Sequence, residues 1–238
     1  MIRLCIQDFL TNSGWLETVS RRRPVRDGVP IPWFTFPAIE VLDRMVLQDK
    51  KVLEVGSGYS TLYWLARQSE VVAFERDPHW AKQVEIAASE VAGAGSFRIV
   101  PLEVPNRPQN DPLIHLHQIL GNSVAAELVT YLAATTNSSE ESLESVAAVL
   151  SNVDDLRYEL TNSDVIVIDG IARNLLCALA SQECREDALI ILDNSDRPDY
   201  EFGKLSLTNS GWEPTEFAGL GPINPYQWTT TFWRRERA

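Results

Sequence analysis

Two short runs do most to limit the architecture. Residues 164–168 (DVIVI) and 188–192 (ALIIL) are almost continuously apolar. A strand with one face in water alternates apolar and polar side chains. A run without a polar face must be covered on both sides, as strands are inside a parallel sheet. Three further strand candidates precede them, at 51–55 (KVLEV), 71–75 (VVAFE) and 97–101 (FRIVP). Helical segments fall between, near 60–68, 78–91 and 171–184, and Asp77-Pro78 offers a capping carboxylate followed by a first-turn proline. After the fifth strand a helix is predicted from Pro198 to near Gly211. Two strand-like runs follow, about 212–218 and 227–234, split by the turn-rich stretch from Gly219 to Pro225. The expectation is an α/β chain: a doubly wound, mostly parallel seven-stranded sheet closed by a C-terminal antiparallel hairpin.

Two segments lie outside this rhythm. Residues 1–49 read as an N-terminal helix to about Gly14, a Pro-rich aromatic arm over 20–37, and a helix from about Pro37 to Leu47. The arm carries Trp33, Phe34 and Phe36, which could pack on the domain or cover a ligand. Within 50–238, residues 106–163 are far too many for a simple crossover. Val124, Leu128 and Leu132 share one helical face, and Leu143, Val146, Ala147 and Leu150 another, with Ser138 and Glu141 at capping-box spacing. This is read as a helical insertion. The hexapeptide Leu-Thr-Asn-Ser-Gly-Trp occurs at 10–15 and again at 207–212, each time after a predicted helix, so it reads as a shared way of stopping a helix.

Composition narrows the function classes. Lys plus Arg is 21 and Asp plus Glu is 33, a net charge of −12, which disfavours general binding to phosphate backbones. The insertion holds eight acids against two basic residues, a net of −6, and is read as a solvated acidic surface. No apolar run nears the roughly 20 residues of a membrane span. The first residues are too polar for a signal peptide. Cys5, Cys177 and Cys184 have no metal spacing and are expected to be reduced and mostly buried. A cytoplasmic protein with a small-molecule substrate, no nucleic acid and no membrane partner is expected; the oligomeric state is open.

Four strand candidates carry an acid at or beside the carboxyl end, where open parallel sheets bind ligands. These are Glu54, in front of Gly56-Ser57-Gly58, and Glu75, Asp169 and Asp193. Glycines after the first strand permit a tight turn and close approach of a ligand. A dinucleotide fingerprint needs glycine at 61, where Thr61 stands. An acid just before the loop suits a cationic ligand better than a pyrophosphate. Glu75, about 20 residues on, can accept two ribose hydroxyls.

With these residues in order, the sequence resembles the class I S-adenosylmethionine-dependent methyltransferases. Leu53-Glu54-Val55-Gly56-Ser57-Gly58 matches their glycine loop and Glu75 their ribose acid. Val167-Ile168-Asp169-Gly170 and Ile191-Leu192-Asp193-Asn194 match the fourth- and fifth-strand motifs. The likeness covers roughly 50–235 without the insertion and departs at Ser60, where many members have a third glycine. It implies the Rossmann-like fold of that family and S-adenosylmethionine as cofactor. Glu54, Gly56, Ser57, Gly58, Ser60, Glu75, Arg76 and Asp169 would then bind it, with Trp33, Asn194 and Tyr226 toward the substrate.

Two chemistries for methyl transfer are open, acting on a small molecule and more readily at oxygen. In one, Asp169, Asp193 and Asn194 form an all-oxygen set that could hold Mg²⁺ and lower an acceptor hydroxyl's pKa. This resembles the catechol-type O-methyltransferases, which carry a further acid and a lysine after the fourth strand; residues 169–173 (DGIAR) supply neither. In the other, Asp169 or Asp196 acts as base or orienter without metal, and residues 193–196 also read as a plain loop and helix cap. An aminopropyl transferase on the same fold, or a non-catalytic binder, are the alternatives. His115 with His117, His79 and residues 21–23 (RRR) read as surface features.

Overall fold

The computed structural model describes residues 2–91, 93, 95–103, 111–135 and 139–236. The runs predicted as strands form β3 (Lys51–Val55), β4 (Glu70–Glu75), β5 (Phe97–Pro101), β6 (Val165–Ile168) and β7 (Leu189–Leu192). The hairpin is β8 (Glu213–Gly219) and β9 (Trp228–Arg234). They make one sheet in the order β5-β4-β3-β6-β7-β9-β8, all parallel except β9, which runs antiparallel to both neighbours. The expected seven-stranded, doubly wound sheet with its antiparallel hairpin is therefore present.

Alternation along the strands fills two cores. Leu53, Val55, Ile166, Ile168, Ile190 and Leu192 enter one face, packed with α10 (Arg173–Glu183). Val52, Val167 and Ile191 enter the other, packed with α3 (Phe36–Leu42) and α4 (Tyr59–Ala66). Both faces of β6 and β7 are buried, which is why their sequences have no polar stripe. The remaining crossover helix on the β4 side is α5 (Pro78–Ser89), capped by Asp77, whose carboxylate accepts from the backbone N–H groups of His79 and Trp80.

The chain start is more structured than its composition suggested. It holds α1 (Ile2–Asn12), α2 (Trp15–Arg21) and a small hairpin, β1 (Val25–Arg26) with β2 (Val29–Pro30), turned through Asp27 and Gly28 at positive φ. Arm residues Ile31, Phe34 and Phe36 are buried in the second core, so the arm is packed along the domain. Both hexapeptide copies stop a helix through a left-handed glycine, Gly14 at φ +83 and Gly211 at φ +82, the latter after α11 (Glu201–Asn209).

The segment between β5 and β6 forms α6 (Pro112–Leu120), α7 (Asn122–Thr135), α8 (Leu143–Leu150) and α9 (Val153–Asn162). Leu116, Leu128, Val149 and Leu156 join the same apolar cluster as the sheet. Each such side chain contributes about 1.5–3 kcal/mol on burial. Its acids correct the solvated reading. Glu141 and Glu159 are buried, Glu144 pairs with Arg76, Glu159 with Arg98, and Glu140 with Arg197. Much of this surplus charge ties the segment to the body. The cap of α8 is Ser142, whose hydroxyl accepts from the N–H of Ser145; Ser138 and the side chain of Cys5 lie outside the described residues.

Candidate functional site

The sheet has one switch point, where the chain leaves β3 toward β4 on one side and returns to β6 on the other. The loops after β3 and β6 touch there backbone to backbone. A Cβ on Gly56 would sit 2.9 Å from the carbonyl oxygen of Asp169 and from the Cα of Gly170, and φ is +99. Glycine is required on both grounds.

The loop is fixed from β4. The Ser57 N–H and hydroxyl both donate to Glu75 Oε2 at 2.9 Å, and the Asp77 N–H donates to Glu75 Oε1 at 2.9 Å. The Trp80 indole N–H donates to the Ser57 carbonyl at 2.7 Å. Between these parts lies a cavity of about 360 Å³, walled by the loop 56–60, Glu75, Trp80, Asp169, Gly170 and, from the arm, Trp33. That is the scale of a small-ligand site. Its charged lining residues are two carboxylates, Glu75 and Asp169, and no Lys or Arg is among them. A carboxylate offers about four lone-pair sites. Two on Glu75 are engaged by Ser57 and one by the Asp77 N–H, so a ligand hydroxyl can take the remaining one or displace the Ser57 hydroxyl.

Asp169 is held from behind. Arg173, 4% exposed, sets Nη2 at 3.2 Å from Asp169 Oδ1. Its Nε donates to the Gly170 carbonyl at 3.0 Å, and Nη1 to the Asp193 carbonyl at 2.6 Å and Asn194 Oδ1 at 3.3 Å. The Tyr200 ring lies 4.8 Å from the guanidinium carbon. Burial pushes the Asp169 carboxyl above its usual pKa, and the Arg173 charge opposes that rise. Arg173 is itself placed by Glu141, whose carboxylate accepts from the N–H groups of Arg173 (2.6 Å) and Asn174 (3.3 Å) and from Asn174 Nδ2 (2.8 Å). Burial raises Glu141 to about 7 against those donors.

Several predicted site residues stand elsewhere. Glu54 is fully buried beneath α4, where Oε2 accepts from the Thr61 hydroxyl (2.5 Å) and Oε1 from the Trp64 indole N–H (3.0 Å). It braces the loop and does not line the cavity, because its place in β3 turns it toward the second core. Arg76 turns outward to Glu144 and Ser145. Asp196 is exposed, and its carboxylate accepts from the Thr229 N–H at 2.9 Å, capping the hairpin. Tyr226 is 60% exposed and packs on Trp228, off the cavity wall. Asn194 sits at φ +52 in the turn after β7, facing Arg173.

The Mg²⁺ reading does not fit these donors. Asp193 Oδ1 faces away, accepting from the Thr230 hydroxyl (2.6 Å) and the Trp228 indole N–H (3.1 Å), and burial pushes its pKa up to about 8. Asp169 and Asn194 share Arg173, so a guanidinium fills the position between them. Among the described residues no cluster of three or more His, Cys, Asp or Glu side chains is placed to hold a metal ion, His115 and His117 included.

Sequence reasoning missed Trp80, Arg173 and Glu141. Trp80 lies one helical turn from the Asp77 cap, so an aromatic there was a readable signal. Arg173, four residues after Asp169, has ion-pair spacing on a helix start. Glu141 stands at capping-box spacing from Ser138, a local signal that gave no sign of its actual partners, Arg173 and Asn174, 32 and 33 residues away.

No family model matches the sequence, and no curated protein does. Among solved structures the chain is similar to the precorrin-6y C5,15-methyltransferase of Geobacter metallireducens, at 10% identity over 84% of this chain and 87% of that one (TM-score 0.49). It is similar to a TehB-like SAM-dependent methyltransferase of Corynebacterium glutamicum, at 13% over 93% and 94% (TM-score 0.44). A third is the spermidine synthase of Thermotoga maritima, at 14% over 89% and 64% (TM-score 0.44). Among the described residues no helix is long and apolar enough to cross a membrane.

Proposed function

We propose that the chain binds S-adenosylmethionine at the ends of β3, β4 and β6 and transfers its methyl group to the oxygen of a small-molecule acceptor. The observation that carries this is the charge of the cavity wall: two carboxylates and no cationic side chain, around a glycine turn. Such a wall repels phosphates and favours a nucleoside with net positive charge. Glu75 receives the ribose hydroxyls. The turn at Gly56 lets the methionine part lie against backbone, and Trp80 and Trp33 offer apolar faces.

Methyl transfer is an in-line displacement in which the protein positions the acceptor and takes its proton. Asp169 is the group for both tasks. It reaches the cavity from the end of β6, and Arg173 fixes its direction. A raised carboxyl pKa brings it closer to a neutral-pH base. Calorimetry with S-adenosylmethionine and S-adenosylhomocysteine tests the reading. Micromolar binding that falls in Glu75→Ala, with no binding of NAD, is expected; absence of binding, or equal binding of NAD, overturns it.

A second reading follows from the same wall. It holds no cationic side chain for the methionine carboxylate, so decarboxylated S-adenosylmethionine also suits it, as an aminopropyl donor. Turnover with that donor and none with S-adenosylmethionine would decide for it.

A further inference from the structure

Asp193, which has no place on the cavity wall, is tied to the arm that does. Its Oδ1 accepts the Thr230 hydroxyl hydrogen at 2.6 Å, in a buried position at the end of β7. A threonine hydroxyl has one hydrogen to give. Once it is committed to Asp193, the oxygen's lone pairs are left for a donor on the other side, and the Thr35 N–H occupies that side at 3.1 Å. The arm is held at two more points: the Thr35 hydroxyl donates to the Phe217 carbonyl at 2.8 Å, and the Phe36 N–H donates to the Leu220 carbonyl at 2.7 Å. Two residues before Thr35 stands Trp33 in the cavity wall. Trp33 is 37% exposed while Pro32 and Phe34 on either side are buried, as are Ile31 and Phe36, so its position is set by those anchors.

We infer that Asp193, Thr230 and Thr35 form a directional hydrogen-bond latch that holds the Trp33 arm across the cofactor cavity and thereby sets how long a bound nucleoside is retained. Asp193 and Thr230 are positioning residues: neither lines the cavity, and both act through the arm. Asp193 orients the hydroxyl, the hydroxyl accepts the arm's N–H, and the arm places the indole. The latch joins the C-terminal hairpin to a segment 195 residues earlier. The hairpin thus serves the cofactor site as well as closing the sheet. The inference rests on the reading of the cavity as a cofactor site, and its test separates the two.

Thr230→Val removes the hydroxyl and nearly conserves volume, and Thr230→Ser restores it. Hydrogen exchange on the unliganded full chain, followed by mass spectrometry of a peptide spanning 31–37, reads the latch without any ligand. Faster exchange confined to that peptide in Thr230→Val, with wild-type exchange in Thr230→Ser, is expected. Unchanged exchange, or a rise spread evenly over the sheet, overturns the latch. Release of S-adenosylhomocysteine in stopped flow reads the consequence. It should be about tenfold faster in Thr230→Val, the factor that one buried hydrogen bond carries, and normal in Thr230→Ser. Trp33→Ala should speed release similarly, and combining it with Thr230→Val should add little; independent, multiplying effects overturn the inference. If the wild type binds no S-adenosylhomocysteine, the cofactor reading and retention both fall, while the exchange experiment still decides whether the latch exists. Should Thr230→Val not fold, Thr230→Ala removes the same hydroxyl with less bulk and is read by the same criteria.

Discussion

Replacing Glu54 by Gln should make the protein's stability less sensitive to rising pH between about 4.5 and 7 and leave its ligand affinity alone. Glu54 is wholly buried, and desolvation lifts its pKa from 4.5 to about 7 despite donors from Thr61 and Trp64. In the unfolded chain it titrates near its ordinary value. Between those two pKa values the native state holds the proton that the unfolded state has released. Stability therefore falls as pH rises through this window: the contribution is full below pH 4.5 and lost above about 7. At 1.36 kcal/mol per unit, the loss is on the order of 3 kcal/mol. A glutamine cannot titrate. Its oxygen can keep the Trp64 indole N–H, and its NH₂ can donate to the Thr61 oxygen, which already accepts from the Gly58 N–H at 2.9 Å. Urea unfolding of both proteins from pH 5 to 8.5 gives the measurement. Wild type should lose on the order of 3 kcal/mol relative to Glu54→Gln across the range, other groups cancelling in the difference. Parallel curves would refute the burial argument. A gap of opposite sign would mean that the two donors outweigh desolvation. S-adenosylhomocysteine affinity should stay within about threefold, because Glu54 does not line the cavity.

Four further outcomes follow from the structure. Gly56→Ala should lower stability by about 2–5 kcal/mol, from positive-φ strain together with overlap on Asp169 and Gly170, with a Tm drop of about 5–15 °C in calorimetry. Arg173→Met should cost about 3–5 kcal/mol and most of the activity, and Arg173→Lys should not restore it, because an ammonium cannot reach Asp169, Gly170 and Asn194 as a fork does. Chelation should leave the wild-type rate unchanged, since Arg173 fills the position that a divalent ion would need. Burial raises the Cys177 thiol strongly and Cys184 to about 12, so in a thiol-titration assay at pH 8 both should react only after unfolding.

The strands, the hairpin and the glycine turn were legible in the sequence because short-range pattern decides them. Doubly buried strands have no polar stripe, and a turn that meets another backbone needs glycine. The placing of Glu75 and Asp169 at the cavity followed from their position at strand ends, since in a parallel sheet those ends meet at one edge. Glu54 could have been read correctly by the same logic. A strand covered on both faces buries its acid, and Glu54 shares its face with Val52. What the sequence could not determine was the direction of side chains whose partners lie far along the chain. Asp193 looked like a ligand at the end of β7, but Trp228 and Thr230, more than thirty residues on, turn its carboxylate into the hairpin. Glu141 reads from its spacing as a capping-box partner of Ser138 in an acidic segment, and only packing of that segment against α10 makes it the buried cap of α10 instead. Local periodicity reports which face a residue belongs to. Which buried donor satisfies a carboxylate is a property of the assembled core, and tertiary structure alone decided that.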